Sequence, residues 1–378
     1  MPPIVIMIKP ASSLCNLRCK YCFYLDTAQN RETASYGIMS ENTLENVVKK
    51  AFEFADMSIS FAFQGGEPTL AGLHFFEKFI EFQKKYAKEY AKKDIEINNA
   101  IQTNAVNIDA DFAKFFHDNN FLVGVSLDGA KQYHDIYRKF ADGKGSYNKV
   151  ILGINLLKKY EVDFNILCVI NRITARNIKE IYNFYKKNGF NYLQFIPCLQ
   201  PFGQESQRLS FTLSAKDWGK CLCELFDLWY ADFIKGNEIH IRQFENYIEM
   251  LLGYPPESCG MSGVCSYQNI IEADGSCYPC DFYVLDKFKL GNLNEVGFEE
   301  VYEVRKQINF LEDSLKINKK CFECKFSGIC RGGCKRYCEP LNDKDERSIN
   351  ILCEGYRIFF EHSYEKMKKL AQYVAQQK

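Results

Sequence analysis

The sequence predicts an α/β protein in which a partial (β/α)6 TIM-like barrel over residues 1–235 is followed by a small cysteine-rich domain with a C-terminal helix over residues 236–378. Three observations predict this fold. Strand-like and helix-like segments alternate through the first half of the chain. Polar and glycine-rich loops follow successive strands. Cysteines crowd the second half, where the alternation stops.

The predicted strands are apolar runs rich in β-branched residues, and stretches of helical spacing lie between them, for example 41–55, 72–92 and 147–160. Each return to a parallel strand needs a crossover helix, so this alternation predicts a parallel sheet. An open six-stranded barrel and a doubly wound sheet both fit that pattern. The predicted strands occupy 3–8, 58–63, 95–101, 121–127, 163–170 and 192–196.

The loops favour the barrel. A loop with three cysteines follows the first strand, and QGGEP (64–68), QTN (102–104) and SLDG (126–129) follow the next three. Functional residues that come from many successive strand ends, at one rim, are typical of barrels. A doubly wound dinucleotide-binding sheet has one GxGxxG turn instead, and the sequence contains none.

Composition argues against some classes of partner. Lys+Arg and Asp+Glu both number 48, so the net charge is zero, which argues against binding to nucleic acid or to an anionic membrane. No apolar run reaches the roughly 18 residues of a membrane span, and the amino-terminal apolar run lacks the basic start and cleavage site of a signal peptide. We therefore expect a soluble cytoplasmic protein.

The chain contains 17 cysteines, which in a reducing cytoplasm indicate metal clusters rather than disulfides. Three of them are expected to pack as small hydrophobic residues instead, because Cys168 lies in FNILCVI and Cys221 and Cys223 lie in KCLCELFDLWY. The five histidines are too scattered to suggest a metal site.

Cys15, Cys19 and Cys22 form a C-x3-C-x2-C motif that can hold three irons of a 4Fe–4S cluster as thiolates. The fourth iron then stays open for a substrate. This spacing, with the aromatic Tyr21 before the last cysteine, resembles the signature of the radical S-adenosylmethionine (radical SAM) enzymes. In that family the amino and carboxylate groups of the cofactor bind the open iron.

The GGEP segment after the second strand strengthens the resemblance to radical SAM enzymes. Family members use this segment to hold the amino group of the cofactor. The resemblance implies that Gly65 and Gly66 let backbone atoms approach the cofactor and that Glu67 accepts protons from its amino group.

The cysteines of the second half match the pattern of the SPASM extension, which carries auxiliary clusters in radical SAM enzymes that modify peptides and proteins. The matching intervals are Cys265-x9-Gly275-x4-Cys280, then C-x2-C-x5-C-x3-C from residue 321, then a final cysteine at 353. The resemblance implies two further 4Fe–4S clusters. One would be held by Cys259, Cys265, Cys280 and Cys334, and the other by Cys321, Cys324, Cys330 and Cys353. Cys277 and Cys338 lie outside the pattern, and either could compete as a ligand.

Within this group, nearly the whole chain resembles the anaerobic sulfatase-maturating enzymes, which convert a cysteine or serine of a sulfatase into Cα-formylglycine. The resemblance is carried by KPASSLCNLRCKYCFY (9–24), FAFQGGEPTLAGL (61–73), FLVGVSLDG (121–129), FNILCVI (164–170), LFDLWYADF (225–233) and YPCDFYVLDK (278–287). One departure is QTNA (102–105), where many relatives have glycine at the last position.

This narrower resemblance implies roles for individual residues. Asp281 would be the general base. Tyr24 and Gln64, beside the cluster loop and the glycine loop, are candidates for substrate contact. The residues that would contact S-adenosylmethionine are Tyr21, Gly66, Ser126, Arg138 and Leu199, and a guanidinium at 138 suits the carboxylate of the cofactor.

The implied reaction begins with one-electron reduction of the open cluster by a flavodoxin or ferredoxin. A 5′-deoxyadenosyl radical from S-adenosylmethionine then takes a hydrogen from Cβ of the target residue. Asp281 removes the thiol or hydroxyl proton, and a second electron leaves through an auxiliary cluster. The expected partner is a sulfatase with a C-x-P-x-R or S-x-P-x-R segment, and the sequence does not distinguish cysteine from serine targets.

Three alternatives remain. A maturase that crosslinks or epimerises another ribosomal peptide would share every cluster motif, but such enzymes often carry an extra amino-terminal domain and only 14 residues precede Cys15. A non-catalytic iron–sulfur electron carrier would not need the GGEP rim. A zinc-stabilised interaction module would not explain the three-cysteine loop.

Overall fold

The computed structural model describes residues 3–90, 95–204, 209–339 and 348–377. All six predicted strands are confirmed, with bounds that agree to within two residues at each end. A seventh short strand and a three-stranded carboxy-terminal extension complete the sheet. The strands are β1 (Ile4–Ile8), β2 (Ser58–Phe63), β3 (Glu96–Thr103), β4 (Phe121–Ser126), β5 (Phe164–Ile170), β6 (Tyr192–Pro197), β7 (His240–Ile241), β8 (Asn269–Ile271), β9 (Ser276–Tyr278) and β10 (Gly291–Asn292).

The strands form one sheet in the order β10-β9-β8-β1-β2-β3-β4-β5-β6-β7. Pairing is parallel from β8 through β7, whereas β8, β9 and β10 pair antiparallel. In the register, Ile8 pairs with Phe63, and Phe63 pairs with Ile101. The carboxyl ends of neighbouring strands therefore lie at one edge, which places the loops of the predicted motifs on the same rim.

The crossover helices follow the predicted spacing. The predicted stretch 41–55 is α2 and 147–160 is α6, and 72–92 corresponds to α3, although 91 and 92 lie outside the described residues. The helices are α1 (Phe23–Gln29), α2 (Glu41–Phe54), α3 (Leu73–Glu89), α4 (Ala110–Asp118), α5 (Lys131–Tyr137), α6 (Tyr147–Lys159), α7 (Arg172–Arg176), α8 (Ile178–Lys187), α9 (Ala215–Ile234), α10 (Arg242–Leu251), α11 (Cys259–Ser262), α12 (Phe298–Gln307), α13 (Glu312–Leu315), α14 (Lys319–Phe322), α15 (Ser327–Cys330) and α16 (Cys353–Gln377).

Aromatic residues fill much of the core between the sheet and the helices. The Phe63 ring packs edge-on against Phe76 and Phe79 of α3, at centroid distances of 5.1 and 4.8 Å. Cys168 and Cys221 are buried in the same core, as predicted for cysteines that act as small hydrophobic residues. Packing thus accounts for many of the aromatic side chains.

The expected domain boundary after residue 235 stays a prediction, and the sheet continues past it. β7 pairs with β6, and β8 pairs with β1. The C-terminal helix, confirmed as α16, packs along α9, where Gly219 and Gly355 let the two backbones approach closely. Among the described residues, no helix combines the length and apolar character needed to cross a membrane.

Candidate active site

The three-cysteine loop leaves β1 at the rim of the sheet and brings Cys15, Cys19 and Cys22 together. The backbone N–H of Leu17 donates to Cys15 Sγ at 3.3 Å. Burial raises the pKa of Cys15 to about 11 and that of Cys19 to about 12, and neighbouring thiols add to both shifts. Three thiols that oppose one another's ionisation become thiolates together only around a positive centre, which an iron–sulfur cluster provides.

The glycine loop after β2 packs directly against this cysteine loop. The N–H of Gly66 donates to Ser12 O, and a Cβ at Gly66 would lie 1.9 Å from Leu14 O. Gly65 adopts a φ of +130°, which favours glycine. The two glycines therefore allow the glycine loop to pack closely against the backbone of the cysteine loop.

Glu67 is buried and joins two strand-end loops. Its Oε1 accepts bonds from the Thr69 N–H and from the hydroxyls of Thr69 and Thr103, and its Oε2 accepts from the Asn104 N–H at 2.8 Å. The carboxylate thus ties QGGEP to QTN. Only Oε2 keeps clear acceptor capacity for the amino group that the resemblance assigned to Glu67.

Arg138 and Tyr21 meet at a buried carboxylate that the sequence reasoning did not single out. Arg138 Nε and Nη2 donate to the two oxygens of Asp128 at 3.0 and 3.2 Å, and the Tyr21 hydroxyl donates to Asp128 Oδ2. The Val169 N–H donates to Asp128 as well. Asp128 raises the pKa of Arg138 against the effect of burial, so the guanidinium stays charged. The SLDG motif was the available signal for Asp128.

Two further predicted cofactor contacts lie at or just after the ends of β4 and β6, and the departure at 105 lies in the loop after β3. Ser126 Oγ, at the end of β4, accepts from Gln102 Nε2 at 3.1 Å. Leu199 follows β6 and is partly buried against the core. Ala105 adopts a φ of +59°, a backbone conformation that favours glycine over alanine.

Asp281 is held between the ends of two barrel strands. It follows Cys280, which precedes a short 3-10 turn at Asp281–Tyr283, and its side chain is largely buried. Lys9, at the end of β1, donates to Asp281 Oδ1, and Gln64, at the end of β2, donates to Oδ2 at 3.0 Å. The carboxylate therefore faces the rim that also carries the cysteine loop.

Behind Asp281 lies a buried polar network that the sequence reasoning missed. Lys9 Nζ sits 3.9 Å from the centroid of the Tyr24 ring, and the Tyr24 hydroxyl donates to Glu272. Arg31 Nη1 also donates to Glu272, at 2.9 Å. The predicted candidates Tyr24 and Gln64 are thus brought together around Lys9 and Asp281. The available signals were a lysine directly after the strand IVIMI and a glutamate directly after the strand NII.

Cys259, Cys265, Cys280 and Cys334 line one cavity of about 350 Å³ between the end of β6, the β8–β9 hairpin and the late cysteine loop. Burial raises the pKa of Cys334 to about 12, with added repulsion from Cys259 and Cys265. Gln268 Nε2 donates to Cys259 Sγ at 3.7 Å. This donor set around a cavity fits a fully ligated 4Fe–4S cluster.

The second predicted set is also brought together. Burial raises the pKa of Cys330 to about 11, and repulsion from Cys321, Cys324 and Cys353 adds to this shift. Within the described ranges, no three His, Cys, Asp or Glu side chains converge closely enough to hold a single metal ion. Ligands of a cluster stand around a cube and need not converge on one point.

Cys277 and Cys338, which fell outside the pattern, are both buried away from the cavity lining. Cys277 lies in β9 within the core, where burial raises its pKa to about 12. The thiol of Cys338 donates to the carbonyl of Cys334 at 3.5 Å. Both act as packing residues in this structure, and the eight predicted ligands stay a prediction.

Comparison with known proteins finds two matching family models and several similar relatives. The radical SAM superfamily model matches residues 10–185, and an iron–sulfur cluster-binding domain, SPASM, matches residues 259–325. The chain is 47% identical over 375 residues to the cysteine-type anaerobic sulfatase-maturating enzyme of Clostridium novyi, with 99% of each chain covered. It is 33% identical over 378 residues to the serine-type enzyme of Bacteroides thetaiotaomicron, with 95% of this chain and 89% of that one covered.

A solved structure gives the same result in three dimensions. Native anSMEcpe with bound AdoMet and Cp18Cys peptide superimposes with a TM-score of 0.92 at 43% identity. The match covers 99% of this chain and all of that one. The fold class predicted from the sequence is therefore confirmed for the part of the chain that the structure describes.

Proposed function

Since the chain belongs to the anaerobic sulfatase-maturating enzymes of the radical SAM superfamily, we propose that its target is a cysteine in a C-x-P-x-R segment of a sulfatase. Enzymes of this family oxidise a cysteine or serine to Cα-formylglycine, with S-adenosylmethionine and iron–sulfur clusters as cofactors. The preference for cysteine is supported by 47% identity to a cysteine-type enzyme against 33% to a serine-type one.

The position of Asp281 carries the proposal for the chemistry. When bound, S-adenosylmethionine and the open cluster supply the radical that takes a hydrogen atom from Cβ of the target. Asp281 accepts the proton of the target thiol. Each of its oxygens already receives one hydrogen bond, from Lys9 or Gln64, and keeps capacity for another. These two donors fix the orientation of the carboxylate before the substrate arrives.

The cofactor site proposed here uses the rim residues that the resemblance named. Cys15, Cys19 and Cys22 would hold the open cluster, and Arg138 would hold the carboxylate of S-adenosylmethionine through Nη1, since Nε and Nη2 are bonded to Asp128. Two auxiliary clusters complete a set of three. The remaining proposed contacts to the cofactor are Tyr21, Gly66, Ser126 and Leu199.

The partners follow from the same chemistry. The target loop of a sulfatase enters the rim beside Asp281, near Tyr24 and Gln64. A flavodoxin or ferredoxin supplies the electrons. The cytoplasm is the proposed compartment, because cysteines that hold clusters as thiolates suit a reducing environment. Residues 1–235 and 236–378 are the proposed domains.

The test is anaerobic incubation of the reconstituted enzyme with matched C-x-P-x-R, S-x-P-x-R and A-x-P-x-R peptides, read by mass spectrometry. We expect formylglycine from the cysteine peptide, less from the serine peptide and none from the alanine control. Faster conversion of the serine peptide would contradict the proposed preference. A crosslinked or epimerised product would support the peptide-maturase alternative instead.

A further inference from the structure

A buried arginine without a charged partner lies beside the first auxiliary cluster site. Arg305, on α12, is 1% exposed. Its Nη2 donates to Gln268 O at 2.7 Å and to Asn269 Oδ1 at 2.8 Å, but Nε and Nη1 have no hydrogen-bond partner. Among the described residues, no carboxylate forms an ion pair with it. A buried cation left in this state is strongly unfavourable, so a negative group is missing from its surroundings.

The strand register locates that missing charge. In the β8–β9 hairpin, Ile270 pairs with Tyr278 and Ile271 with Cys277. Continued by two residues, this register places Gln268, whose carbonyl accepts from Arg305, opposite Cys280. Gln268 also donates through its side chain to Cys259 Sγ at 3.7 Å. Gln268 therefore connects Arg305 to two of the four cysteines that line the cavity.

Electrostatics agrees with this placement. Burial lowers the pKa of Arg305, and the thiols of Cys277 and Cys280 oppose that effect. Burial raises the pKa of the Cys277 thiol, and Arg305 opposes this shift in turn. Tyr267 and Tyr302 offer ring faces, with centroids 5.6 and 5.3 Å from the guanidinium carbon. Such faces attract a cation only weakly compared with a full negative charge.

We propose that Arg305 is a positioning residue that compensates the negative charge of the auxiliary cluster held by Cys259, Cys265, Cys280 and Cys334, and so raises the reduction potential of that cluster. The inference rests on the proposed cluster site. A 4Fe–4S core with four thiolates is negatively charged, and one added electron makes it more negative by one unit. A fixed nearby cation therefore stabilises the reduced form more than the oxidised form.

The electron balance of the reaction gives this effect a use. Oxidation of the target thiol to the thioaldehyde removes two electrons and two protons. The 5′-deoxyadenosyl radical takes one electron and one proton together, as a hydrogen atom. Asp281 takes the second proton, and the auxiliary cluster takes the second electron, which it then passes to an external one-electron acceptor. A higher potential at this cluster favours the electron's departure from the substrate.

The test is an anaerobic redox titration of the three-cluster enzyme, followed by electron paramagnetic resonance, with wild type and the Arg305→Gln and Arg305→Lys variants. Loss of one signal in Cys334→Ala identifies the cluster concerned. We expect Arg305→Gln to lower the midpoint potential of that one cluster by at least about 59 mV. For one electron this corresponds to a tenfold change in the equilibrium constant for its reduction. Arg305→Lys keeps the charge and should shift it less.

Two further variants keep the test decisive. If Arg305→Gln does not fold, Asn269→Asp replaces it in the test. This variant places a carboxylate next to Arg305 and should shift the same midpoint to a more negative potential. Lys50→Gln removes a partly buried cation that binds Leu293 O and Val296 O and does not line the cluster cavity, so it should leave the midpoint unchanged. Unchanged midpoints in the Arg305 and Asn269 variants, at full iron content, would overturn the proposal. A wild type without the third signal would instead refute the cluster site.

Discussion

Asp281 is the proposed general base, and its role can be tested by a substitution that preserves the shape of its side chain. Asp281→Asn keeps the shape of the side chain and removes its basicity, so abstraction of hydrogen from Cβ should continue while proton removal fails. We expect 5′-deoxyadenosine at near wild-type levels and at least a hundredfold less formylglycine. With a peptide deuterated at Cβ, label should still reach 5′-deoxyadenosine, as measured by mass spectrometry.

The control for this variant lies five residues along the chain. Asp286 accepts a bond from the Glu32 N–H at the surface, outside the rim, so Asp286→Asn should make formylglycine normally. Because Asp281→Asn leaves Lys9 without its carboxylate, iron content must first be shown to match wild type. Normal aldehyde yield from Asp281→Asn would assign the base to another group or to water.

Arg138 has two functions to separate, an ion pair inside the protein and the proposed contact to the cofactor. Arg138→Lys keeps the charge but loses the bidentate geometry, and a lost charge-assisted bond costs about 1.5–3 kcal/mol. We therefore expect the Kd for S-adenosylmethionine to rise about tenfold to a hundredfold. Asp128→Asn breaks the same internal pair while retaining the guanidinium. An equal loss of affinity in both variants would argue that Arg138 only supports the fold.

His134 predicts a pH dependence of stability near the same carboxylate. It is fully buried, its Nδ1 lies 3.3 Å from the Asp128 N–H that donates to it, and burial lowers its pKa from 6.5 to about 4. Between these values the unfolded chain binds a proton that the folded chain does not. Stability therefore falls as pH drops from 6.5 toward 4, by up to about 1.4 kcal/mol per pH unit, and is fully present above 6.5.

The measurement for His134 is the midpoint of thermal unfolding of the reconstituted enzyme between pH 5 and 7. His134→Gln lowers the midpoint throughout, because it disturbs a packed site, but its midpoint should depend less on pH across this window. Parallel curves for the variant and wild type would show that folding does not shift the pKa of His134.

At the residue scale, the sequence predicted residues that lie within recognisable motifs. It missed residues outside the motifs that contact the motif residues in the fold. Asp281 and Cys280 stand in a recognisable stretch, whereas Lys9 and Glu272 become neighbours only through the pairing of β1 with β8. That contact joins segments more than 250 residues apart along the chain. Local patterns carry no information about such a pairing.

At the scale of elements, the glycine loop depends on close backbone contact with the cysteine loop, and the proposed cofactor site includes both loops. A methyl group at Gly66 would meet Leu14 O at 1.9 Å, so Gly66→Ala must push the glycine loop and the cysteine loop apart. Overpacking of this kind costs about 1–3 kcal/mol, and here it falls on the cofactor site. We expect the Kd for S-adenosylmethionine to rise at least tenfold, measured by equilibrium binding to the reconstituted enzyme.

Gly328 provides the matched control for Gly66. A Cβ there meets nothing within 4 Å, and its φ is not in the range that favours glycine. Gly328→Ala should therefore bind the cofactor as wild type does. Wild-type affinity in Gly66→Ala would mean that the loop has room that the structure does not show.

Among the elements, long periodic segments were predictable and short ones were not. β1 to β6 and the helices between them bury continuous apolar faces, so their periodicity is visible in the sequence. β7 to β10 have two or three residues each and exist because neighbouring strands offer hydrogen-bond partners. Their sequences alone contain too little pattern to indicate a strand.

At the scale of the whole molecule, the cysteine sets join parts of the chain that share little apolar core. Cys334, on the late loop, faces the same cavity as Cys280 on the hairpin and Cys259 on α11. Metal binding at such a site supplies folding free energy to the segments it connects. The spacing of these cysteines predicted clusters, and the resemblance supplied the grouping of the cysteines that the structure brings together.

The contribution of cluster binding to stability can be tested with two cysteines of the late loop, Cys334 and Cys338. Cys338 is buried and Cys334 is partly buried, but only Cys334 lines the cavity, whereas Cys338 donates to a backbone carbonyl. Cys334→Ala should lose one cluster, or about four of about twelve irons, and lower the midpoint of thermal unfolding, because the late loop is no longer tied to the hairpin. It should still cleave S-adenosylmethionine at the intact three-cysteine loop but make little formylglycine.

Cys338→Ala separates loss of a ligand from loss of a buried sulfur. It removes a side chain of the same size from the same loop, so it should keep all of its iron and most of its activity. The readouts are iron and sulfide content, 5′-deoxyadenosine and formylglycine, each per chain. If Cys338→Ala loses the cluster and Cys334→Ala keeps it, the grouping is wrong at this position, and the late loop binds the hairpin through its other cysteine.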